Sequence, residues 1–382
     1  MTSKTFPSIS ILIPTLNAAS FLGKCFESIN KQDYPRNKIE IIIADGGSTD
    51  KTLVIAKKYK ARIYSNPLKT GEAGKAVACK KAKNELVALV DSDNYLPSKD
   101  WLRQMVAPFT DKEIIGSEPW EYTYRRGDGF IDRYCALMGM NDPLCYFLGN
   151  YDRLNVLSGK WTGLSLEEKD KGGWIKITLK PPSIPTIGAN GTILRREIFS
   201  QGNTSDGDPT CPSKPVASGA GRREGLLRGE CIVGDYFFDI DIIAQLATKK
   251  SVKFAKVKTS ITHLYCGSDI KKFIRKQKRR VKDYLYFSSL TEKTDKGRHY
   301  QKIGARKYPW QKQNKLGLLR VILSCITILP LIYQSLKGYF KKPDPAWFFH
   351  PLACWLTLWV YGWGEISAIF GIKELSRKGW RQ

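Results

Sequence analysis

Apolar positions in the first hundred residues fall into short unbroken runs separated by segments with helical spacing. Ser8 to Pro14 carries Ile9, Ile11, Leu12 and Ile13 and is stopped by proline, the pattern of a strand buried on both faces. Asn17 to Ile29 then sets Phe21, Leu22, Cys25, Phe26 and Ile29 along one helical face. Ile39 to Ala44 reads as a second buried strand and runs into Asp45-Gly46-Gly47-Ser48-Thr49-Asp50, where Thr49 or Asp50 can cap a helix from Thr52 to Tyr59. A short strand at Arg62-Ile63-Tyr64 and a glycine-led helix from Gly71 to Lys83 precede a fourth run, Leu86-Val87-Ala88-Leu89-Val90. This alternation predicts a doubly wound α/β unit over residues 1–110.

The fourth run ends abruptly in Asp91-Ser92-Asp93-Asn94. Open α/β sheets bind ligands at the carboxyl ends of their strands, and two carboxylates spaced i, i+2 there suit a divalent cation or a ribose hydroxyl. The same residues are common turn formers, so a solvated turn is the competing reading.

Beyond residue 110 the periodicity weakens. Tyr134 to Leu148 has helical character, Trp174 to Leu179 reads as a strand, and Ile187 to Arg196 reads as a loop leading into a strand. Residues 201–225, rich in Gly, Ser, Pro and Asp, have the composition of a mobile surface insertion. A helix is expected from Asp235 to Ala247, and Ile270 to Leu290 is a basic amphipathic helix with eight Lys/Arg between 271 and 282. Two apolar segments close the chain, about 316–338 and 346–372, each long enough to cross about 30 Å of hydrocarbon. Five Lys/Arg at 306–320 and four after 372, against three at 337–342, predict that the preceding chain and the C-terminal tail lie on the cytoplasmic side of a two-helix, multi-pass anchor in the cell membrane. Pro330 and the charged connector leave a re-entrant or interfacial hairpin as the alternative.

Charge changes the picture more than overall composition does. Hydrophobic content of 42% is ordinary for a globular core, but 62 Lys+Arg against 36 Asp+Glu give a formal charge of +26. Such an excess implies an anionic partner. Five of the ten Trp fall between residues 347 and 380, which favours anionic membrane lipid over nucleic acid, for which no recognition motif is present. Nine scattered Cys without metal-binding spacing suit reduced thiols in the cytosol, and the polar Met1–Pro7 start lacks a signal-peptide pattern.

Taken together, Ile13-Pro14-Thr15-Leu16-Asn17, Ala44-Asp45-Gly46-Gly47-Ser48-Thr49-Asp50 and Val90-Asp91-Ser92-Asp93, in that order and spacing, resemble family 2 of the inverting nucleotide-sugar glycosyltransferases over about residues 8–265. The resemblance implies a GT-A fold, with a mostly parallel, Rossmann-like sheet, as a catalytic domain over 1–265. That domain would comprise a nucleotide half at 1–110 and an acceptor half at 111–265, followed by an interfacial segment at 266–312 and the membrane helices within 313–382. It implies a nucleotide-diphosphate sugar donor held by Pro14, Thr15, Asn17, Asp45, Gly47, Lys75 and Asp91, with Asp45 hydrogen-bonded to the base. It further implies Mg²⁺ or Mn²⁺ on Asp91 and Asp93, with His263 as a third ligand or a structural histidine, and an acceptor loop at Gly188-Ala189-Asn190-Gly191. Asn17 is followed by Ala18 where the family usually has an acid, and Gly46 replaces the second acid of Asp-Asp-Gly-Ser.

Inverting transfer needs one carboxylate to take the acceptor's proton. The family draws it from a Glu-Asp pair, but here Asp235 and Asp239 compete without a preceding glutamate. Gln277-Lys278-Arg279-Arg280 resembles the Gln-x-x-Arg-Trp of polysaccharide synthases with Val281 in place of Trp, and reads as a basic membrane patch able to touch an acceptor phosphate. The expected acceptor is lipid-linked, of polyprenyl-phosphate type, or a surface glycan. A glycan-extending enzyme of the cell wall or exopolysaccharide, a degenerate scaffold and, least of all, a nucleic-acid-binding protein are the alternatives.

Overall fold

The computed structural model describes residues 6–199, 236–289, 291–293, 299–301 and 314–370. Asp235, the insertion at 201–225 and the C-terminal tail therefore lie outside the described residues. The chain runs β1 (Ile9–Thr15), α1 (Ala19–Asn30), β2 (Ile39–Asp45), α2 (Thr52–Lys58), β3 (Arg62–Ser65), α3 (Gly71–Lys81) and β4 (Leu86–Leu89). It continues through β5 (Asn94–Tyr95), α4 (Trp101–Val106), β6 (Ile114–Tyr122), α5 (Phe130–Met138), α6 (Leu144–Leu148), β7 (Glu167–Asp170) and β8 (Trp174–Leu179). Then come β9 (Thr192–Arg195), α7 (Asp239–Lys249), β10 (Val252–His263), α8 (Ile270–Ser289), a hairpin of β11 (Thr291–Lys293) and β12 (His299–Gln301), α9 (Lys315–Thr327), α10 (Leu329–Lys341) and α11 (His350–Ile369).

One sheet in the order β3-β2-β1-β4-β9-β6-β10-β8-β7 carries the fold, with β5 paired to β10. The first four strands pair in parallel, as the alternation of runs and helices predicts. The expectation of a mostly parallel sheet fails beyond β4. There β9 runs antiparallel to both β4 and β6, and β8 antiparallel to β10, so the sheet is mixed. The reason is topological: β9 returns to β4 after a hundred-residue excursion rather than through a short βαβ crossover.

Apolar layers cover both sheet faces. Leu12, Ile42, Val87 and Leu89 pack with α3 and α7 on one side. Ile11, Ile13, Ala88 and Trp101 pack with α1 and α4 on the other. The β-strand tips that carry polar residues therefore emerge at one edge of the sheet between these layers.

At the C-terminus the structure departs from two straight membrane helices. Ile328 takes φ +61°, and the segment expected as one helix at 316–338 is two, α9 and α10, bent by 94°. Pro330 sits in the first turn of α10, where its missing N–H is tolerated, so the break falls just before it. Residues 345–349 form a 3-10 turn, and α11 starts only at His350. Among the described residues no single helix is long and apolar enough to cross a membrane, although the bent pair passes that test jointly.

Candidate active site

A cavity of about 440 Å³ opens at the carboxyl edge of β1 and β4, lined by Pro14, Thr15, Lys75, Asp91, Asp93 and Asp239 among others. Gly74 brings α3 against β1, since a Cβ there would sit 2.7 Å from the Cβ of Pro14. This contact lets the next residue, Lys75, reach the cavity from α3. Its ammonium lies 3.0 Å from Asp239 Oδ2 at the start of α7, and both side chains are nearly buried. Burial pulls the Lys75 ammonium down, but Asp239, Asp91 and Glu72 outweigh it and hold its pKa above the usual lysine value. The Asp239 carboxyl is raised by burial, against the lowering effect of Lys75 and of the Ala189 N–H. Its Oδ1 has no hydrogen-bond partner. A buried carboxylate with one oxygen fixed and the other unengaged is equipped to accept a proton.

Across the cavity, the pairing of Asn94 with His263 between β5 and β10 sets Asp93 beside the imidazole, with Nε2 3.8 Å from Oδ1. Burial lowers the His263 pKa to about 4 despite Asp93, so the ring is neutral at physiological pH. Lys276 of α8 lies 3.9 Å from Asp93 Oδ2 and donates to the Tyr265 carbonyl. Burial raises the Asp91 carboxyl, opposed by Lys75.

A neutral imidazole and a carboxylate facing one gap are the donor chemistry that Mg²⁺ or Mn²⁺ accepts, and Asp93 with His263 fits such an ion. Among the described residues no group of three or more His, Cys, Asp or Glu side chains comes together at metal-binding distance. A bound ion would thus draw its remaining ligands from elsewhere, a diphosphate being the natural source.

Three of the expected donor-binding residues lie behind the cavity wall. Asp45 accepts from Thr15 Oγ1 at 2.8 Å and Ser48 Oγ at 2.6 Å through Oδ1, and from the Gly47 and Ser48 amides through Oδ2. Its carboxylate is thus spent on its own turn and not presented to a base. Asn17, at φ +49°, donates its N–H to Ser48 Oγ and takes the Thr49 N–H on Oδ1. Asn17, Asp45 and Gly47 tie the tips of β1 and β2 together, and none of the three lines the cavity.

The loop expected on the acceptor side, Gly188–Gly191, is the most strained backbone in the site. Gly188, Ala189, Asn190 and Gly191 all have positive φ, at +148°, +50°, +36° and +89°. Non-glycine residues persist there only when the surroundings over-determine them. Here the Gly188 N–H donates to Glu118 Oε1 at 3.0 Å, Asn94 Nδ2 to Asn190 Oδ1 at 3.1 Å, and Asn190 Nδ2 to Tyr122 Oη at 3.2 Å. Glu118, fully buried on β6, pairs with Arg153 at 2.7 Å and Lys256 at 2.8 Å. Although burial raises its carboxyl, these two cations hold it below the ordinary glutamate value. Gly188 sits so close to α7 that a Cβ on it would meet the Asp239 Cβ at 2.5 Å.

Sequence reasoning missed Glu118, Arg153 and Lys256. It places Lys276 on a membrane-surface helix and reads Arg279 and Arg280 as a basic membrane patch able to touch an acceptor phosphate, and the structure puts all three in the cavity lining. The inward side of α8 is anchored by buried Phe273, Gln277 and Val281, with Gln277 Nε2 donating to the Asn141 carbonyl at 2.9 Å. Arg280 donates to Gln277 Oε1 and approaches Asp142 at 3.3 Å, and Tyr361 of α11 donates to Asp142 Oδ2 at 2.5 Å. The Gln-x-x-Arg spacing was the available signal for this wall.

Residues 10–139 match the family model for Glycosyl transferase family 2. The chain is 36% identical over 104 residues to the poly(ribitol-phosphate) β-N-acetylglucosaminyltransferase TarS of Staphylococcus aureus, covering 26% of this chain and 18% of that protein. It is 32% identical over 118 residues to a Methanococcus voltae enzyme named as a dolichyl N-acetyl-α-D-glucosaminyl phosphate diacetamido-dideoxy-glucuronosyltransferase, covering 29% of this chain and 36% of that one. These matches span well under two thirds of either relative. The Pyrobaculum calidifontis mannosyltransferase solved with GDP-mannose and Mn²⁺ superposes with a TM-score of 0.48 and 14% identity over 94% of this chain and 88% of its own.

Proposed function

From its membership of glycosyltransferase family 2, carried by residues 10–139, we propose that this chain is a membrane-held, inverting glycosyltransferase. It moves a sugar from a nucleotide diphosphate to a lipid-linked acceptor, or to a surface glycan, at the cytoplasmic leaflet. The observation that carries this reading is Asp239: nearly buried, held by Lys75, and with Oδ1 unengaged, in the cavity that Asp91 and Asp93 also line.

In the proposed reaction the acceptor hydroxyl approaches the donor's anomeric carbon from the side of the 188–191 loop. Its proton passes to the Asp239 carboxylate as the new carbon–oxygen bond forms and the bond to the diphosphate breaks. Lys75 fixes the carboxylate's orientation and keeps it ionised. Asp93 and His263 would hold Mg²⁺ or Mn²⁺, and Asp91 lies close by for the donor. When bound, the divalent ion supplies charge neutralisation for the leaving nucleoside diphosphate. Lys276 and Arg279 add positive charge on the same side. The M. voltae relative is named for a dolichyl-linked sugar phosphate, which supports a lipid-linked acceptor, and the TarS name supports a polymer as the second choice.

The test is a screen of nucleotide sugars with polyprenyl phosphate and Mn²⁺, reading product mass and anomeric configuration. One donor consumed, with inverted configuration in a lipid product, is expected. Retained configuration, or no donor consumed with any acceptor, would contradict the proposal.

A further inference from the structure

The connector between α10 and α11 is built into the catalytic domain. Asp344 accepts from Tyr124 Oη at 2.5 Å and from Arg133 Nε at 2.9 Å, and it ends fully paired despite burial. Lys341 Nζ donates to the Leu157 carbonyl at 2.9 Å, and Trp347 is wholly buried in a cluster with Ile131, Tyr134, Phe273 and Ala353. A hairpin whose connector crossed a bilayer would carry these residues about 30 Å from the domain that binds them. Breaking the Arg133–Asp344 pair and exposing Trp347 would leave a charge and a large apolar surface uncompensated.

Outside this attachment, α9, α10 and α11 expose an apolar face. Ile326, Leu329, Phe340, Trp355, Trp359 and Trp363 are each about half exposed or more. The opposite side of α11, with Ala353, Cys354, Val360 and Gly364, is buried, and Gly364 sits directly over Val281 of α8. On α8, Lys271, Arg275, Lys278 and Lys282 form an exposed row at helical spacing. The Lys278 ammonium stands 5.6 Å over the Trp359 ring, so the cationic row adjoins the tryptophan row. A broad apolar surface bordered by Trp and then by cations is matched by acyl chains, interface and anionic headgroups in that order.

We infer that α9, α10 and the outer face of α11 lie in one leaflet of an anionic bilayer, with the Lys271–Lys282 row at headgroup level, and that the connector at 341–347 stays on the side of the catalytic domain. This deepens the membrane-held reading above and rests on it. Tyr361 and Arg280 then bring the cavity wall to the leaflet, where a lipid-borne acceptor enters without leaving the membrane.

Two measurements on the full chain test this. Sedimentation with vesicles of phosphatidylcholine alone, or with phosphatidylglycerol added, is expected to show at least tenfold stronger binding to the anionic vesicles, reduced by salt. The doubly substituted Ile326→Ser/Leu329→Ser protein, altered only at exposed sites, should lose at least tenfold in vesicle binding while binding nucleotide sugar as the parent does. In spheroplasts, a Pro343→Cys chain should react with an impermeant maleimide, above the parent's background, only after permeabilisation. Labelling of intact spheroplasts would establish a spanning hairpin and overturn the inference, as would equal or absent binding to both vesicle types. Nucleotide-sugar calorimetry on the same preparation separates these failures from failure of the glycosyltransferase reading, which alone predicts donor binding.

Discussion

Lys75 Nζ and Asp239 Oδ2 lie 3.0 Å apart although 164 residues separate them in the chain. The pair joins α3, which follows β3, to α7, which precedes β10, across the cavity that both residues line. A buried ion pair of this kind is weak evidence for stability, but it couples the titration of the two groups, since each charge favours the other.

The pH dependence of transfer follows from that pair. Burial raises the Asp239 pKa above the ordinary carboxylate value, and only the ionised form accepts a proton. Turnover is therefore full above the shifted pKa and falls as pH drops through it, with the acidic limb higher than a free aspartate would give. Lys75→Met removes the charge that opposes the rise, so the limb should move to still higher pH. A kcat/KM profile across pH 4–9 for both proteins measures this, and an unmoved limb would remove Asp239 from the role.

Gly188→Ala should impair transfer without unfolding the protein. The added methyl meets the Asp239 Cβ at 2.5 Å, at a φ of +148° that alanine does not adopt, so the loop and the carboxylate cannot both keep their places. A thermal midpoint close to the parent's, with kcat reduced on the order of tenfold or more, is expected because misplacement of about 1 Å can cost about 100-fold.

Glu118→Gln tests whether the loop rests on the buried charge cluster. The change removes the carboxylate that Arg153 and Lys256 share and leaves Asp152, paired with Arg153 at 2.5 Å, as the remaining acid of the cluster; breaking such a buried pair costs about 3–5 kcal/mol. For a chain of this size that corresponds to a melting midpoint lower by roughly 4–6 °C, read by calorimetry. Lys256 Nζ also donates to the carbonyl of Pro119 and to that of Asp152, so its remaining bonds do not rescue the lost carboxylate.

His263→Ala should raise the Mn²⁺ concentration needed for half-maximal transfer while leaving nucleotide affinity without metal unchanged, and Asp93→Ala should abolish metal stimulation. Because the imidazole is neutral down to about pH 4, protons should compete little with metal above pH 6. Metal titrations of activity and of intrinsic fluorescence provide the readout. A His263→Ala protein with an unchanged metal requirement would return this residue to a structural role beside Tyr122 and Tyr265.

What the sequence makes legible is what local pattern encodes. Strands β1, β2 and β4 announce themselves as apolar runs, and the Asp91–Asp93 and Gly188–Gly191 motifs land on the cavity because strand ends fix where they emerge. By contrast β6, Ile-Ile-Gly-Ser-Glu-Pro-Trp-Glu-Tyr, falls where the periodicity weakens and carries no strand reading, since the partners that let Glu118 be buried lie at 153 and 256. Asp45 misleads for the opposite reason: its carboxylate is consumed by Thr15 and Ser48, bonds that no spacing rule separates from ligand contacts. The basic helix hides two faces in one charge count, with Lys276, Arg279 and Arg280 turned to the cavity and Lys271, Arg275, Lys278 and Lys282 turned out. At the C-terminus, apolar length alone suggests spans, whereas the left-handed Ile328 and the bonds of Asp344 depend on tertiary contacts.

The decisive measurement is the Asp239→Asn protein assayed in parallel for nucleotide-sugar affinity and for transfer with Mn²⁺ present. The substitution keeps size and removes the basic oxygen, so donor affinity should stay within about twofold while kcat falls by about 100- to 10,000-fold, the usual range for a lost general base. Transfer at the parent's rate with donor affinity intact would contradict the assignment of Asp239 as the base.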